Sequence, residues 1–207
     1  MQGKLITLEG IDGAGKSTQL AWIIELLQRA GLTAVVTREP GGTPLGEQLR
    51  ALLLDQSITM HPETEALLMF AARREHLDKV ILPALAQGQW VISDRFTDAS
   101  FAYQGGGRGL DSGKLSILEQ WVQGALQPDV TLYFDVPVAL GQQRVSQIKN
   151  MDRFEKEQAD FFQRVRAAYL DRARQFPDRI KVIDSSRSLA EVKAAVEQIL
   201  KSLLNHE

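Results

Sequence analysis

An apolar run at residues 5–8 leads directly into a glycine-rich segment, which is followed by a long amphipathic stretch. The glycine-rich segment has the spacing Gly-x-x-x-x-Gly-Lys-Ser at residues 10–17. A strand, a glycine-rich turn and a helix in this order are typical of a phosphate-binding loop, in which backbone N–H groups at the helix N-terminus surround phosphate oxygens. The pattern therefore predicts a strand–loop–helix unit that binds a nucleoside triphosphate.

Two side chains of the loop add charge and a metal ligand to this backbone cradle. Lys16 places a positive charge at the β- and γ-phosphates, and the hydroxyl of Ser17 is a ligand for the Mg²⁺ that arrives with the nucleotide. The alternative is a glycine-rich turn without a ligand, which the complete pattern disfavours. The predicted nucleotide-binding residues are Gly10, Ile11, Asp12, Gly13, Ala14, Gly15, Lys16, Ser17 and Thr18.

Length and composition narrow the class of protein. The chain has 207 residues, 44% of them hydrophobic, which suits one compact domain spanning residues 1–207. Its net charge of −2 gives no overall basic field, so we expect no nucleic-acid partner. The absence of cysteine excludes disulfides and thiolate chemistry. No apolar run approaches ~18 residues and no signal-peptide pattern opens the chain, so we expect a cytoplasmic protein without membrane contact.

Short β-rich runs alternate with helical stretches along the chain. The alternation predicts an α/β fold, with a five-stranded parallel sheet flanked by helices on both faces. Ligands bind outside the carboxyl ends of such strands, and charged or glycine-rich segments follow the first three, at residues 9–10, 38–42 and 94–95. We expect these segments to meet at one crevice. The predicted strands are 5–8, 34–37, 90–93, 130–136 and 180–183.

Asp94 and Arg95 directly follow the third predicted strand. Downstream of a phosphate-binding loop, this position suits a carboxylate that organises Mg²⁺, often through water, and an arginine that faces phosphate. The alternative is an aspartate that caps the next helix beside a solvated arginine. The upstream loop favours the first interpretation, so we predict Ser17 and Asp94 as the metal-site residues.

Five segments together carry a family resemblance. They are residues 10–17, Thr37-Arg-Glu-Pro-Gly-Gly-Thr43, Asp94-Arg-Phe96, Ala102-Tyr-Gln-Gly-Gly-Gly-Arg-Gly109 and Asp152-Arg-Phe-Glu155. In this order and spacing the chain resembles the bacterial thymidylate kinases, which are P-loop nucleoside monophosphate kinases. The resemblance implies the P-loop kinase fold with a small lid near residues 143–155, and a homodimer. It also implies transfer of the γ-phosphoryl group of ATP to thymidine 5′-monophosphate (dTMP) with Mg²⁺, for dTTP synthesis.

The implied reaction fits the scarcity of histidine. Only His61, His76 and His206 occur, and none has an obvious catalytic partner in the sequence. The acceptor oxygen of a monophosphate is already ionised at neutral pH, so catalysis needs positioning and charge neutralisation rather than a general base. The resemblance implies catalytic roles for Lys16, Asp94, Arg95 and Arg153.

The resemblance also implies an acceptor site. Arg50 and Arg95 hold the monophosphate, Asp12 faces the sugar, Tyr103 disfavours a 2′-hydroxyl, and Glu39 orders an arginine or metal-bound water. Without the family, Arg50 is also explained as a solvated charge on an amphipathic helix. The implied substrate-binding residues are Asp12, Glu39, Arg50, Phe70, Arg73, Arg95, Ser100, Tyr103 and Gln104.

Base recognition leaves two pairings open. In the family the stacking aromatic residue often lies four positions before the base-binding arginine, which here gives Met69 with Arg73 or Phe70 with Arg74. We predict that Phe70 stacks on thymine and that Arg73 hydrogen-bonds its edge, helped by Ser100 and Gln104. A buried helical face is the alternative for this stretch.

The lid has fewer arginines than the family pattern implies. Residues 10–17 contain no arginine, and relatives of this kind carry extra lid arginines, yet Ser146 and Ile148 stand where basic residues are expected. We predict that Arg153 carries most of the lid's charge stabilisation and that Lys149 carries less, because an ammonium group lacks the bidentate fork of guanidinium. The predicted lid cations are Arg144, Lys149 and Arg153.

Two other functions compete with this interpretation. A related kinase that acts on another nucleotide or on a nucleoside is the nearer one. A GTP-binding switch is disfavoured because no Asn-Lys-x-Asp segment follows the third strand.

Apolar patterns also predict packing. Trp22, Trp90 and Trp121 are expected in the core. The amphipathic segments 112–126 and 161–174 are candidates for contact with a second subunit.

Overall fold

The computed structural model describes residues 3–145, 153–155 and 157–205, and these residues form one parallel sheet with helices packed against it. The strands at residues 34–38, 90–94, 5–9, 130–135 and 180–184 lie side by side in this spatial order, and each neighbouring pair runs parallel. The predicted five-stranded parallel sheet is therefore confirmed, with strand ends shifted by at most a residue from the predicted ones. The strands are β1 (Leu5–Glu9), β2 (Ala34–Arg38), β3 (Trp90–Asp94), β4 (Val130–Asp135) and β5 (Ile180–Asp184).

The helices begin where the sequence supplies caps or breaks. For example, the helix at residues 44–54 starts with Pro44, directly after Thr43, whose hydroxyl oxygen accepts a hydrogen bond from the N–H of Gly46. Two π-helical segments, Leu77–Ile81 and Phe101–Gly107, continue the helices before them. In chain order the α-helices of the described residues are α1 (Lys16–Arg29), α2 (Pro44–Leu54), α3 (Pro62–His76), α4 (Leu82–Ala86), α5 (Thr97–Ser100), α6 (Ser112–Gln123), α7 (Val138–Val145), α8 (Ala159–Gln175) and α9 (Leu189–Asn205).

The core has two hydrophobic clusters, one on each face of the sheet. Along β1, Leu5 belongs to one cluster and Ile6 and Leu8 to the other, as the alternation of side chains along a strand requires. The first face packs against α3 and α6, through residues such as Phe70 and Leu115, and the second packs against α1, α8 and α9. Helices therefore cover both faces, as predicted.

The strand order reverses at the central strand β1, because later strands are added on both sides of it. β3 and β2 lie on one side of it, and β4 and β5 lie on the other. Ligands in such sheets bind outside the carboxyl ends of the strands where the order reverses. The candidate site is therefore the crevice at the carboxyl end of β1, where the glycine-rich loop begins.

The three tryptophans do not share one environment. Trp90 is 1% exposed in the core, as predicted, and Trp22 is half-buried, with its indole N–H donating to the carbonyl of Lys193. Trp121 is 79% exposed on α6, so its predicted core position is wrong. The apolar pattern of α6 has the right period, but the side that carries Trp121 faces away from the sheet.

Within the described part of the chain, no helix has the length and apolar character needed to cross a membrane.

A buried carboxylate holds α5, the short helix after β3, against the rest of the molecule. Asp98 is 1% exposed and accepts hydrogen bonds from Arg172 Nε at 2.9 Å and Arg179 Nη1 at 2.6 Å. Burial opposes ionisation of this carboxyl, but the two guanidinium groups hold its pKa below its ordinary value. Because Asp98 lies three residues after Arg95, this cluster anchors the segment that carries the predicted phosphate ligand.

Removing this carboxylate should destabilise the fold strongly. We expect Asp98→Ala to lower the free energy of unfolding by roughly 3–5 kcal/mol, because one buried and one largely buried guanidinium group lose their counter-ion. Urea denaturation followed by circular dichroism measures the change. The matched control is Asp78→Ala, which removes an aspartate that is exposed and paired with Arg74 on the surface, and it should cost at most ~1 kcal/mol. Equal effects of the two substitutions would contradict this account of the cluster.

Candidate active site

The glycine-rich loop takes backbone conformations that side chains would block. Gly13 has a φ of +79°, and a Cβ added there would lie 2.2 Å from the carbonyl oxygen of Gly141 on α7. Gly10 has a φ of +140°, and its Cβ would lie 2.6 Å from the carbonyl oxygen of Phe134. The loop therefore depends on glycine for its path. It ends where α1 begins, so its N–H groups stand at a helix N-terminus.

Lys16 lies at the base of this loop. It is 7% exposed, and its Nζ donates to the carbonyl of Gly10 at 2.9 Å and to that of Ile11 at 3.2 Å. Burial first, and the nearby charge of Arg95 second, lower the pKa of Lys16. These contacts hold the ammonium group within the loop, where it can bind phosphate oxygens.

Arg95 connects the end of β3 to the loop. Its Nη1 donates to the carbonyl of Gly10 at 3.0 Å, and its Nη2 donates to Asp12 Oδ1 at 2.8 Å. Although burial opposes ionisation of Asp12, Arg95 and Lys16 hold its pKa below the ordinary value. Arg95 also has a φ of +70°, a conformation that favours glycine, and such backbone outliers cluster at functional sites.

Asp94 and Ser17 suit the metal role predicted for them. Asp94 Oδ1 is buried and has no hydrogen-bond partner among residues 3–145, 153–155 and 157–205, so it can accept a bond from metal-bound water. Ser17 is exposed in the first turn of α1. Oxygen ligands of this kind fit Mg²⁺, which keeps several of its waters and binds phosphates. The donor chemistry of the site therefore fits the ion.

A cavity with an empty volume of about 590 Å³ opens beside the loop, and it gathers most of the predicted acceptor residues. Of the nine residues predicted to bind the substrate, eight line it: Asp12, Glu39, Arg50, Arg73, Arg95, Ser100, Tyr103 and Gln104. They come from the loop, the 39–43 turn, α2, α3, the residue after β3, α5 and the π-helical segment Phe101–Gly107. The convergence expected from the strand ends is therefore present in the structure.

Phe70 is the predicted acceptor residue that lies elsewhere. It is 1% exposed within the core cluster, and the Arg73 guanidinium packs over its ring at 4.5 Å from the centroid. The apolar side chain that lines the cavity from this part of α3 is Met69, four residues before Arg73. Arg74 is exposed and donates to Asp78 and to the carbonyl of Val122. The predicted stacking position of Phe70 is therefore wrong, and Met69 and Arg73 are the pair with the expected spacing that lines the cavity.

Arg73 is held by a chain of buried polar side chains, of which sequence reasoning identified Glu39 and Ser100 but missed Thr37 and His76. Its Nε donates to Glu39 Oε2 at 2.7 Å and its Nη2 donates to Ser100 Oγ at 3.0 Å. His76, fully buried, places Nδ1 3.0 Å from Glu39 Oε1 and Nε2 2.6 Å from Thr37 Oγ1. Both hydrogen-bond partners of His76 therefore lie at the carboxyl end of β2 or directly after it. The strand-end rule that identified Glu39 could also have identified Thr37.

The lid cations are placed differently from one another. Arg144 Nη1 donates to the carbonyl of Gly13 at 3.1 Å and to that of Ser185 at 3.2 Å, so it lies against the loop. Arg153 instead donates to Glu65 Oε2 at 2.7 Å and to the carbonyl of Leu53 at 2.8 Å. In this structure Arg153 is thus paired with Glu65 rather than with the loop, and its role as the lid's main charge at the phosphates stays a prediction. Lys149 lies outside the described residues.

Ser185 is a further loop contact that the motifs did not indicate. Its hydroxyl donates to the carbonyl of Ala14, and its backbone N–H donates to the carbonyl of Asp135 at 2.7 Å. It directly follows β5, so the strand-end rule could have found it. The turn after β5 therefore supports the glycine-rich loop from the side of Arg144.

The last residue of β1, Glu9, is fully buried below the loop. Glu9 Oε1 accepts from the N–H of Phe96 at 2.8 Å, and its Oε2 lies 2.7 Å from the hydroxyl of Tyr169. Burial, with a smaller contribution from the charge of Asp98, raises the pKa of Glu9 to about 8. At neutral pH this carboxyl group is therefore protonated and adds no negative charge under the phosphate-binding loop.

Glu9 should make stability depend on pH. Between pH 4.5, the ordinary pKa of the group, and pH about 8, the folded protein keeps a proton on Glu9 that the unfolded chain has released. The contribution of Glu9 to the free energy of unfolding therefore falls as the pH rises between these values. We expect the stability difference between wild type and Glu9→Gln to shift in favour of the variant by roughly 3–4 kcal/mol from about pH 5 to about pH 8. Urea titrations across this range measure it, and a difference that stays constant with pH would show that Glu9 is ionised throughout.

Comparisons with known proteins agree with this geometry. The family model described as thymidylate kinase matches residues 8–196. A thymidylate kinase of Nitrosospira multiformis is 67% identical over 98% of this chain and 99% of its own, and one of Nitrosomonas europaea is 68% identical over 97% and 93%. A crystal structure of thymidylate kinase from Ehrlichia chaffeensis, 35% identical, covers 97% of this chain and 99% of its own with a TM-score of 0.79. The chain belongs to the thymidylate kinase family.

Proposed function

We propose that this protein transfers the γ-phosphoryl group of ATP to dTMP, forming ADP and thymidine 5′-diphosphate for dTTP synthesis. The observation that carries the proposal is the position of the acceptor cavity. Asp12 of the glycine-rich loop and Arg95, which donates to Asp12, both line the cavity. A monophosphate bound at Arg50 and Arg95 would therefore lie next to the phosphates of a nucleotide bound at Lys16, which also pairs with Asp12. Adjacent sites of this kind suit in-line phosphoryl transfer.

The far end of the cavity matches the edge of thymine. Arg73 presents N–H donors for the O4 carbonyl, and Ser100, whose oxygen accepts from Arg73, keeps its own hydroxyl proton for donation. Gln104 can accept from N3–H, and Met69 offers an apolar surface to the ring. The same edge is carried by uracil but not by cytosine or adenine, and guanine carries it only on a larger, two-ring base.

The sugar lies between these two ends in this proposal. Tyr103 is 6% exposed, and its ring packs edge-on against Phe154, Phe161 and Tyr169, which prevents it from moving aside. A rigid ring at this place disfavours the extra 2′-hydroxyl of a ribonucleotide. Asp12, on the loop, faces the sugar from the opposite side.

Catalysis in this proposal depends on positive charge rather than on a base. Lys16 binds the β- and γ-phosphates, and Arg95 and Arg50 bind the acceptor phosphate, so charge on the transferred group is neutralised where it develops. Ser17 and Asp94 would hold Mg²⁺, which supplies further charge neutralisation and orientation of the phosphates. Of the two lid cations that the structure describes, Arg144 and Arg153, it is Arg144 that contacts the loop. We propose one kinase domain over residues 1–207, with the lid near 143–155.

Turnover with each nucleoside monophosphate tests the proposal. With ATP and Mg²⁺, we expect ADP formation with dTMP to exceed that with dCMP, dAMP and dGMP by about 100-fold or more in kcat/KM. Arg95→Gln should lower kcat/KM for dTMP by about 100-fold through loss of phosphate positioning, whereas Arg29→Gln, a change in an exposed ion pair, should leave it unaltered. Preferential turnover of another monophosphate, or of a nucleoside, would contradict the proposal.

We also propose that the protein is a homodimer in the cytoplasm, joined through α3 and α6. Leu67 on α3 and Ile117 and Trp121 on α6 are 54%, 69% and 79% exposed. Ile117 and Trp121 lie one turn apart, and ion pairing between Glu63 and Lys114 places the two helices side by side. An exposed apolar surface of this kind suits contact with a second copy.

A charge in this patch should separate the subunits. We expect Trp121→Glu to convert a dimer to a monomer in size-exclusion chromatography with light scattering, because a carboxylate at the centre of an apolar interface is left without a partner. The control is Leu189→Glu, at a leucine that is 54% exposed on α9, and it should remain dimeric. A monomeric wild type, or a dimeric Trp121→Glu, would refute this interface.

A further inference from the structure

A carboxylate at the back of the acceptor cavity has no role in the function proposed above. Glu65 lies on α3 and is fully buried. It precedes Met69 by four residues and Arg73 by eight, so the three side chains share one face of the helix. Met69 and Arg73 line the cavity, and Glu65 continues the same face beneath Gln104.

Glu65 meets hydrogen-bond donors on both of its oxygens. Its Oε1 accepts from Gln104 Nε2 at 2.8 Å, and its Oε2 accepts from Arg153 Nη2 at 2.7 Å. Arg108 Nε lies 3.3 Å from each oxygen. A carboxylate faced by two guanidinium groups offers only acceptor lone pairs, so the group of Gln104 that meets it has to be a donor.

This contact decides which way the Gln104 amide points. The side chain is 1% exposed and lines the cavity, so it has little room for other rotamers. If the amide were turned over, its oxygen would face Glu65 Oε1 without a proton between them, and two acceptors would repel each other. With Nε2 donating to Glu65, the group that the amide can offer to a base in the cavity lined by Gln104 is its acceptor, Oε1.

We propose that Glu65 is a positioning residue that sets base selectivity, by holding the Gln104 amide with its oxygen towards the base. The inference rests on the proposed function and specifies one feature of it. An acceptor at this position pairs with the N3–H of thymine. Cytosine has a bare nitrogen at N3 and an amino group at C4, so it would meet an acceptor with an acceptor and Arg73 with a donor. Glu65 thus rejects cytosine without touching it.

Glu65→Gln tests the inference because glutamine can present either an oxygen or an amino group to Gln104. The Gln104 amide then has two orientations of similar energy. We expect the ratio of kcat/KM for dTMP over dCMP to fall about tenfold, the factor carried by roughly one hydrogen bond, mainly through a higher KM for dTMP. The KM for ATP should stay within about twofold of wild type, because the substitution lies away from the loop. A ratio that stays at its wild-type value while both activities fall together would overturn the inference.

The control is Arg108→Gln, which disturbs the same carboxylate without touching Gln104. It should alter turnover of both substrates alike and leave their ratio unchanged, and a tenfold lower ratio here would also count against Glu65. If Glu65→Gln alone does not yield folded protein, the double variant Glu65→Gln with Arg108→Gln restores the charge balance of the cluster and carries the same expectation, measured against Arg108→Gln alone. Wild-type turnover separates the two proposals: no activity on dTMP refutes the function, whereas activity with an unchanged ratio in the variants refutes only the role of Glu65.

Discussion

Buried and partly buried carboxylates hold the arginines of this molecule in fixed positions, and the acceptor cavity depends on them. Asp12 binds Arg95 at the phosphate end, and Glu39 binds Arg73 at the base end. Such pairs lose hydration on burial and contribute little net stability, so their effect is mainly on geometry. An arginine otherwise samples many rotamers, and a carboxylate partner removes that freedom before a substrate binds. The binding energy of the substrate is therefore not consumed in ordering these side chains.

One face of α3 organises the base end of the cavity. Glu65, Met69 and Arg73 follow one another at intervals of four residues, and His76 follows one turn later. Met69 and Arg73 contact the cavity directly, while Glu65 and His76 act on it through the side chains of Gln104 and Glu39. A helix is suited to this task because its i, i+4 spacing is rigid. A shift of the helix would change the position of all four groups together.

The strand-end rule explains why much of the site could be predicted. It needs only the order of strands along the chain, and it correctly brought Glu39, Asp94 and Arg95 together. The face of α3 was harder, because Met69 and Phe70 are adjacent and both apolar, and only packing against the core decides which of them meets the cavity. The partners of Glu65 lie 39 and 88 residues away in sequence, so no local pattern could indicate them.

The electrostatics of the loop favour phosphate by keeping two cations close together. The charge of Arg95 lowers the pKa of Lys16, an effect second only to burial, so the two groups repel each other across Asp12. A phosphate group placed between them relieves this repulsion, and the relief grows as negative charge develops on the transferred group. An ionised Glu9 would weaken the effect from below. Burial raises the pKa of Glu9 to about 8, so that at neutral pH the positive field of the loop remains directed at the phosphates.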